Sequence, residues 1–330
     1  MITRPSFLAL GMACACMLLI GARVDAQELT RGTISLVVPY PSGGVSDVLA
    51  RDFAPAFAKA IDRTVIVENL SGASGSIGAA KVLGGAHDGS LVLVGTSTET
   101  ILTPITIKGL NYKPADFRLL GVVYTAPLAL YARRDLKAGS VDELAALSKR
   151  PGNAPLNYGS TGPGSLYHIV TENLNKATGL DATHIPYRGG APLLQDLMAG
   201  TIDLTMLPVD NVLGTLVDGG KIKVLGVAAA KRAARYPATP TLDESASARG
   251  FGHPTVWVGI FVARNMPDDL TLQMHRAVTD ALEREDTRRL LETTGGTVPP
   301  TMGLQEASAF YDAETRSLQT MARVARVQGE

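Results

Sequence analysis

Glycines and hydroxyls, with no cluster of metal-binding side chains, mark the two segments of this sequence best suited to holding a small molecule. The first is Pro39-Tyr40-Pro41-Ser42-Gly43-Gly44-Val45-Ser46-Asp47, between a β-branched run and a helical pattern. Paired glycines let backbone N–H groups turn outward at a helix start, where the helix dipole joins them in favouring a carboxylate or phosphate. Asp47 reads as a local cap that orders this loop, because a carboxylate beside a bound anion would repel it. The second segment, Tyr158-Gly159-Ser160-Thr161-Gly162-Pro163-Gly164-Ser165, has the same design and leads into Leu166-Tyr167-His168 on a helix. Two such helix starts point to a cleft in which amides and hydroxyls from both sides hold one small acid. Neither segment ends in the Gly-Lys-Ser/Thr of a P-loop, and neither has Gly-x-Gly-x-x-Gly spacing.

Enzyme chemistry finds less support. Gly72-Ala73-Ser74-Gly75-Ser76 is not Gly-x-Ser-x-Gly, so the hydrolase elbow is absent. The five histidines (His87, His168, His184, His253, His275) show no metal-ligand spacing, so no metal is expected. Ser165 and His168 lie one helical turn apart and give an esterase alternative, but Ser165 reads better as a helix cap and His168 as a first-turn brace. Arg188 in Tyr187-Arg188-Gly189-Gly190 reads as a solvated turn residue, and Trp257 as core. The 31 basic residues balance 31 acidic ones, and no Lys/Arg-rich block occurs, which excludes a nucleic-acid partner.

The elements that must position these loops are legible from periodicity. Runs at 34–40, 64–70, 91–97, 156–160, 183–187, 202–207 and 222–228 read as strands, alternating with helices at 46–61, 166–177, 191–199, 270–291 and 304–324. Such alternation predicts an α/β fold of parallel sheets with crossover helices. Pro55 is expected to kink the first helix or cost it one backbone bond. Pro127–Arg133 and Thr255–Arg264 flank a middle block and read as crossovers. They divide the chain into one lobe of residues 27–125 with 251–330 and a second of 126–250.

Residues 1–26 read as a signal peptide: Arg4 supplies the positive charge, Phe7–Ile20 the apolar run, and Val24 and Ala26 the cleavage site. Both cysteines, Cys14 and Cys16, fall within it, so the remaining chain is expected to have no thiol chemistry and no disulfide. A lipoprotein signal is disfavoured, since Gly11 and Ala13 stand where a large aliphatic is wanted. Cleavage would also remove Arg4, Arg23 and Asp25, leaving the chain close to neutral.

In order along the chain, Pro39-Tyr40-Pro41-x-Gly43-Gly44-x-x-Asp47-x-x-Ala50-Arg51, Val67-Glu68-Asn69 with the Gly72–Gly78 run, Asp88-Gly89, Tyr158-Gly159-Ser160 through Gly164-Ser165-x-x-His168, Pro186-Tyr187-Arg188-Gly189-Gly190-Ala191 and Pro240-Thr241-Leu242 resemble a known family. They are similar to the Bug receptors, the TctC-like solute-binding proteins of tripartite tricarboxylate transporters. The resemblance implies a type II periplasmic-binding-protein fold, with two α/β lobes joined by crossover strands around a ligand cleft. It implies capture of a small carboxylate for membrane permease subunits, in the periplasm and as a monomer, with no catalysis and no cofactor. An alternative uses the same cleft to present the ligand to a membrane sensor kinase. Expected ligand contacts are Tyr40, Pro41, Ser42, Gly43, Gly44 and Asp47, then Thr96, Ser97 and Thr98, and across the cleft Ser160, Thr161, Gly162, Gly164, Ser165, His168 and Tyr187. Thr103-Pro104 departs from the Asn-Pro pair common in the family, which marks the preceding Thr96–Thr100 segment as the place where specificity differs. Glu99 within it is read as solvent-facing.

Overall fold

The computed structural model describes residues 29–152 and 154–326. The signal-peptide reading and both cysteines lie outside the described residues. The strands are β1 (Ile34–Val38), β2 (Val65–Asn69), β3 (Leu91–Thr96), β4 (Phe117–Arg133), β5 (Leu156–Ser160), β6 (Ala182–Pro186), β7 (Leu204–Pro208), β8 (Ile222–Ala228) and β9 (Thr255–Ala263). The helices are α1 (Val45–Ile61), α2 (Ser76–Gly84), α3 (Thr103–Thr106), α4 (Val141–Ser148), α5 (Leu166–Thr178), α6 (Gly190–Ala199), α7 (Asn211–Asp218), α8 (Asp268–Glu283), α9 (Glu285–Glu292) and α10 (Leu304–Ala325).

The α/β architecture is as expected, but the sheet is mixed. β2, β1 and β3 run parallel, as do β6, β5 and β7. Between these two groups the connecting strands are antiparallel to their neighbours: β9 pairs with β3 and with β4, and β4 pairs with β7 and β8. β4 is longer than the seven-residue crossover read from the sequence. Its first part, Phe117–Pro127, pairs with β9, and its second, Leu128–Arg133, with β7 and β8.

Burial on both faces explains the nearly continuous apolar runs. Leu36, Val37, Val38, Val92, Leu93 and Val94 are all fully buried, with α1 contributing Leu49, Phe53 and Phe57. α1 runs unbroken through Pro55. The helix expected over 270–291 is two helices, because Arg284 takes an extended conformation (φ −70°, ψ 123°). The guanidinium of Arg288 then donates to the Val298 and Pro299 carbonyls, so α9 sets off from α8 in a direction that the apolar period alone does not reveal. Trp257 is buried against Phe261, Phe310 and Tyr311, and its Nε1–H donates to Glu314 Oε2 at 2.9 Å.

A short segment clasps the crossing. Thr297 exchanges two backbone hydrogen bonds with Thr125 of β4, at 2.8 and 2.9 Å, while Thr294 O accepts from Asn211 N at the start of α7 (2.9 Å). Gly296 lies against the Tyr124 ring: a Cβ there would stand 2.2 Å from Tyr124 Cε2 and 2.7 Å from the Thr125 carbonyl oxygen. Backbone cannot yield as a flexible side chain does. Gly296→Ala is therefore expected to lower unfolding stability by about 1–3 kcal/mol, the usual cost of overpacking. An unchanged urea midpoint would show that this clasp is not tight.

Candidate functional site

Where β4 and β9 pass between the two groups of strands, the structure encloses a cavity of about 260 Å³. Tyr124 of β4 and Val256 and Val258 of β9 line it. Four helices begin at its wall: α1, α5, α6 and α7. An α-helix leaves its first N–H groups without intrahelical partners, so the fate of these donors decides what the cavity can hold.

Two of the four helix starts are capped by the protein's own side chains, which leaves the Tyr167 N–H of α5 without an acceptor among the described residues. At α5, Ser165 Oγ accepts from His168 N (3.3 Å), and Leu166 N donates to the Thr98 hydroxyl (3.2 Å). At α7, the Asp210 carboxylate accepts from Leu213 N (2.7 Å) and Val212 N, and Asn211 N donates to Thr294 O (2.9 Å). The other two begin on glycines, Gly44 for α1 and Gly189 for α6, with no side-chain cap. Among the described residues, the N–H groups of Val45, Ser46, Gly190 and Ala191 meet no protein acceptor, and all four residues line the cavity. Pro192, the third residue of α6, has no N–H to offer.

The loop before α1 is held open by its neighbours. Gly43 has φ +83°, a left-handed conformation that glycine adopts without strain. Its N–H donates to Asp47 Oδ2 (2.8 Å), and Arg51 and Asn69 donate to the same carboxylate at about 3.0 Å. Burial opposes the charge on Asp47, but these hydrogen bonds outweigh it and hold its pKa below the usual carboxylate value. Asp47 thus orders the loop, as a local cap would, and does not line the cavity where it was expected as a ligand contact, because its carboxylate is turned to Gly43, Arg51 and Asn69.

Of the expected contacts, Tyr40, Pro41, Ser42, Gly43, Gly44, Thr96, Thr98 and Thr161 line the cavity. Ser97, Ser160, Gly162, Gly164, Ser165, His168 and Tyr187 do not. Most of these support the second loop from behind. Ser160 Oγ donates to Gly162 O (3.0 Å) and meets His184 Nε2 (2.7 Å), while His168 Nδ1 accepts from Gly164 N (3.0 Å). Because the Ser160 hydrogen goes to Gly162 O, His184 Nε2–H donates to Ser160 Oγ, while His168, accepting at Nδ1, is neutral with its proton on Nε2. Tyr187 is turned away, donating to Asp196 Oδ2 (2.6 Å). Ser165 Oγ and the His168 ring make no nucleophile–base contact, since Oγ takes the His168 backbone N–H and Nδ1 takes that of Gly164. Arg188 is exposed in its turn.

Glu99 corrects the sequence reading outright. It is 0% exposed, on a π-helical turn (Thr98–Leu102) directly behind Tyr40 and Thr96. Tyr40 Oη donates to its Oε2 at 2.7 Å and Thr96 Oγ1 at 2.8 Å, while Thr96 N donates to Oε1. Burial pushes its pKa up to about 7, against the opposing effect of these hydrogen bonds. Sequence reasoning also passed over Gly190–Pro192, Tyr124, Tyr167, Leu194, Leu207 and Asp210, all of which line the cavity. The Gly189-Gly190 pair repeats the Gly43-Gly44 signal and could have been found by it. Asp210 is the one charged side chain in the lining, and burial pushes its pKa up to about 6. Among the described residues, no cluster of His, Cys, Asp or Glu is placed to hold a metal, and no helix is long and apolar enough to cross a membrane.

Comparison with known proteins bears on what this arrangement serves. Residues 49–323 match the family described as the tripartite tricarboxylate transporter family receptor. A UPF0065 protein of Bordetella pertussis is 30% identical over 279 residues, covering 84% of this chain and 85% of its own. Among solved structures, an R. palustris protein with adipate superimposes with a TM-score of 0.81 at 29% identity, over 90% of this chain and 98% of its own. MatC of Rhodopseudomonas palustris with bound malate gives a TM-score of 0.79 at 27% identity, over 89% and 98%.

The stacked imidazoles behind the second loop make a pH prediction. Their ring centroids are 3.8 Å apart; burial, with the neighbouring ring, pushes His168 down to about 3, and burial pushes His184 down to about 4. Both values lie below the ~6.5 of a free imidazole, so this stabilisation is complete above pH ~6.5 and is lost as pH falls through the folded values. On acidification from pH ~6.5 to ~4.5 the pair is expected to contribute a downward slope in melting temperature, against the opposite pull of Glu99 and Asp210, whose raised pKa values favour the folded form as they protonate. His184→Gln keeps a donor for Ser160 but cannot charge, and it should flatten that slope; an equal slope in both proteins would refute the assignment.

Proposed function

Because this chain belongs to the tripartite tricarboxylate transporter receptor family, whose members are extracytoplasmic solute-binding proteins, we propose that its cavity takes a small acid with a carboxylate at each end, one seated on α1 and one on α6. The observation that carries this reading is the pair of open helix starts facing one enclosed space from opposite groups of strands, beside two other starts that the protein caps. Each open start offers N–H donors and a partial positive charge of roughly half a proton. Between them, Leu166, Leu194, Leu207, Val256 and Val258 give an apolar wall for an aliphatic spacer. The solved relatives that hold malate and adipate support the same chemistry by likeness.

The receptor would present this acid in the periplasm to membrane permease subunits, as a monomer and without chemical turnover. The segments that follow the two groups of strands already touch beside the cavity. Ser74 Oγ donates to Pro163 O (2.9 Å), and the Thr98 hydroxyl accepts from Leu166 N (3.2 Å), so ligand exchange requires these contacts to part. Parting and reclosing about the β4 and β9 crossing is the hinge motion of binding proteins.

Val45→Pro tests the site with little structural disturbance. Proline suits the first position of a helix, and the residue before it, Gly44, is already extended (φ −77°, ψ 166°). The change deletes one cavity-facing N–H. Removing a hydrogen bond to a charged group, worth about 1.5–3 kcal/mol, should weaken binding of malate or adipate by roughly 10- to 100-fold in isothermal titration calorimetry. The melting temperature without ligand should hold. Undiminished affinity would remove α1 from the site, and failure of both acids to bind the unaltered protein would overturn the dicarboxylate reading.

A further inference from the structure

A fully buried carboxyl group beside an anion-binding cavity needs a reason, and Glu99 has no cation to supply one. Among the described residues no ion pair reaches it, and its hydrogen-bond donors are neutral: Tyr40 Oη, Thr96 Oγ1, Thr96 N and its own backbone N–H. The titratable groups that face it are four tyrosines. Tyr40 comes from the loop after β1, Tyr112 from the loop before β4, Tyr167 from α5 and Tyr311 from α10. The 3₁₀ turn at Ala73–Gly75 presents only Gly75 to it, close against its Cβ. Tyr112 Oη donates to the Glu99 carbonyl (2.9 Å) and Tyr311 Oη to that of Thr100 (3.0 Å), so neither hydroxyl serves the carboxylate. Asp210 faces Tyr167 from elsewhere in the cavity lining and is the other acidic group in reach of the ligand.

The two hydroxyls that donate to Glu99 belong to residues lining the cavity, Tyr40 and Thr96. A hydroxyl has one hydrogen. While Glu99 is ionised, both hydrogens point at its Oε2; Thr96 Oγ1 accepts from Thr98 N (3.1 Å), and the Tyr40 oxygen is left with only lone pairs to offer the ligand. A ligand carboxylate placed there would meet lone pairs and a buried negative charge behind them. When Glu99 is protonated it becomes a donor itself, and the hydrogen it displaces is free to turn toward the cavity. A phenol hydrogen lies in the ring plane with two positions, so Tyr40 is suited to this exchange.

We propose that Glu99 is a proton-linked specificity residue, acting through Tyr40 and Thr96: capture of an acid anion transfers one proton from solution to the Glu99 carboxylate, and the relayed hydroxyl then donates to the ligand carboxylate. The balance is simple, with one proton taken up for each acid bound and no covalent bond changed. Burial, which brings the carboxyl's pKa to about 7, makes that proton available near neutrality. The inference deepens the dicarboxylate reading and rests on it.

The test is titration calorimetry of the whole protein with malate and with adipate between pH 6 and 8.5, in buffers of different ionisation heat. Both acids are fully ionised across most of this range, and His168 and His184 stay neutral in it. Kd is expected to rise toward ~10-fold per pH unit above pH ~7, with up to one proton taken up per ligand. Glu99→Gln should bring that slope below about twofold per unit and abolish uptake, whereas Asp210→Asn should leave the slope in place. Tyr40→Phe keeps the buried carboxyl but breaks the relay, and should weaken binding most at pH 6; it also serves if Glu99→Gln does not fold. A flat Kd without buffer dependence, or a slope undiminished in both Glu99→Gln and Tyr40→Phe, overturns the proton linkage alone. No binding of either acid at any pH overturns the dicarboxylate reading, and this inference with it.

Discussion

Taking an anion out of water without a cation to meet it is the constraint around which this protein is organised. The bare transfer costs several kcal/mol per charge even after relaxation. Among the described residues no lysine or arginine lines the cavity, so the positive character they offer is that of oriented backbone N–H groups. Such groups compensate a charge well only if they are fixed beforehand, since their value lies in not having to reorient. The rigid pieces around the cavity follow from that. Asp47 and its three donors hold the Gly43 loop, the His168 and His184 pair braces the second loop, and the Thr294–Thr297 segment fixes the crossing that carries Tyr124.

The choice of cap residue is what separates binding helix starts from structural ones. Ser165 and Asp210 are good N-caps, and by capping they spend the donors of α5 and α7 inside the protein. Gly44 and Gly189 have no side chain to do so, and α1 and α6 keep their donors for a ligand. A serine or aspartate at either glycine would stabilise the helix and close the site. The missing caps are thus a modest loss of helix stability at two places where, on the proposed reading, a ligand needs free N–H groups.

Much of this was legible in the sequence, and the parts that were not share a cause. Strands stood out because burial on both faces demands unbroken β-branched runs, and the Gly43 and Gly162 loops because turns with φ > 0 select glycine. The second loop, however, looked like the first and behaves differently. Its hydroxyls fold back onto His184 and His168, a pairing across 24 positions that no local pattern announces. Glu99 was misread for the same reason. In a stretch of threonines it resembles a solvated segment, whereas Tyr40, Tyr112, Tyr167 and Tyr311, brought from distant positions, pack around its π-helical turn. The break at Arg284 left no trace because the apolar period carries across it without glycine or proline.

The neutral overall charge now has a physical consequence. With 31 basic and 31 acidic residues there is no long-range field to draw an acid in, so both encounter and selection fall to the cavity itself. Its lining is not neutral in effect: Asp210 in the wall and Glu99 behind it both disfavour negative charge when ionised. Two open helix starts therefore work against two acidic groups, and the balance sets which acids are held. An acid that brings its own hydrogen-bond donor suits Asp210, whereas a second bare carboxylate needs Glu99, behind the wall, to take up a proton first. Selectivity in such a site comes as much from where its own carboxyls are buried as from where its donors point.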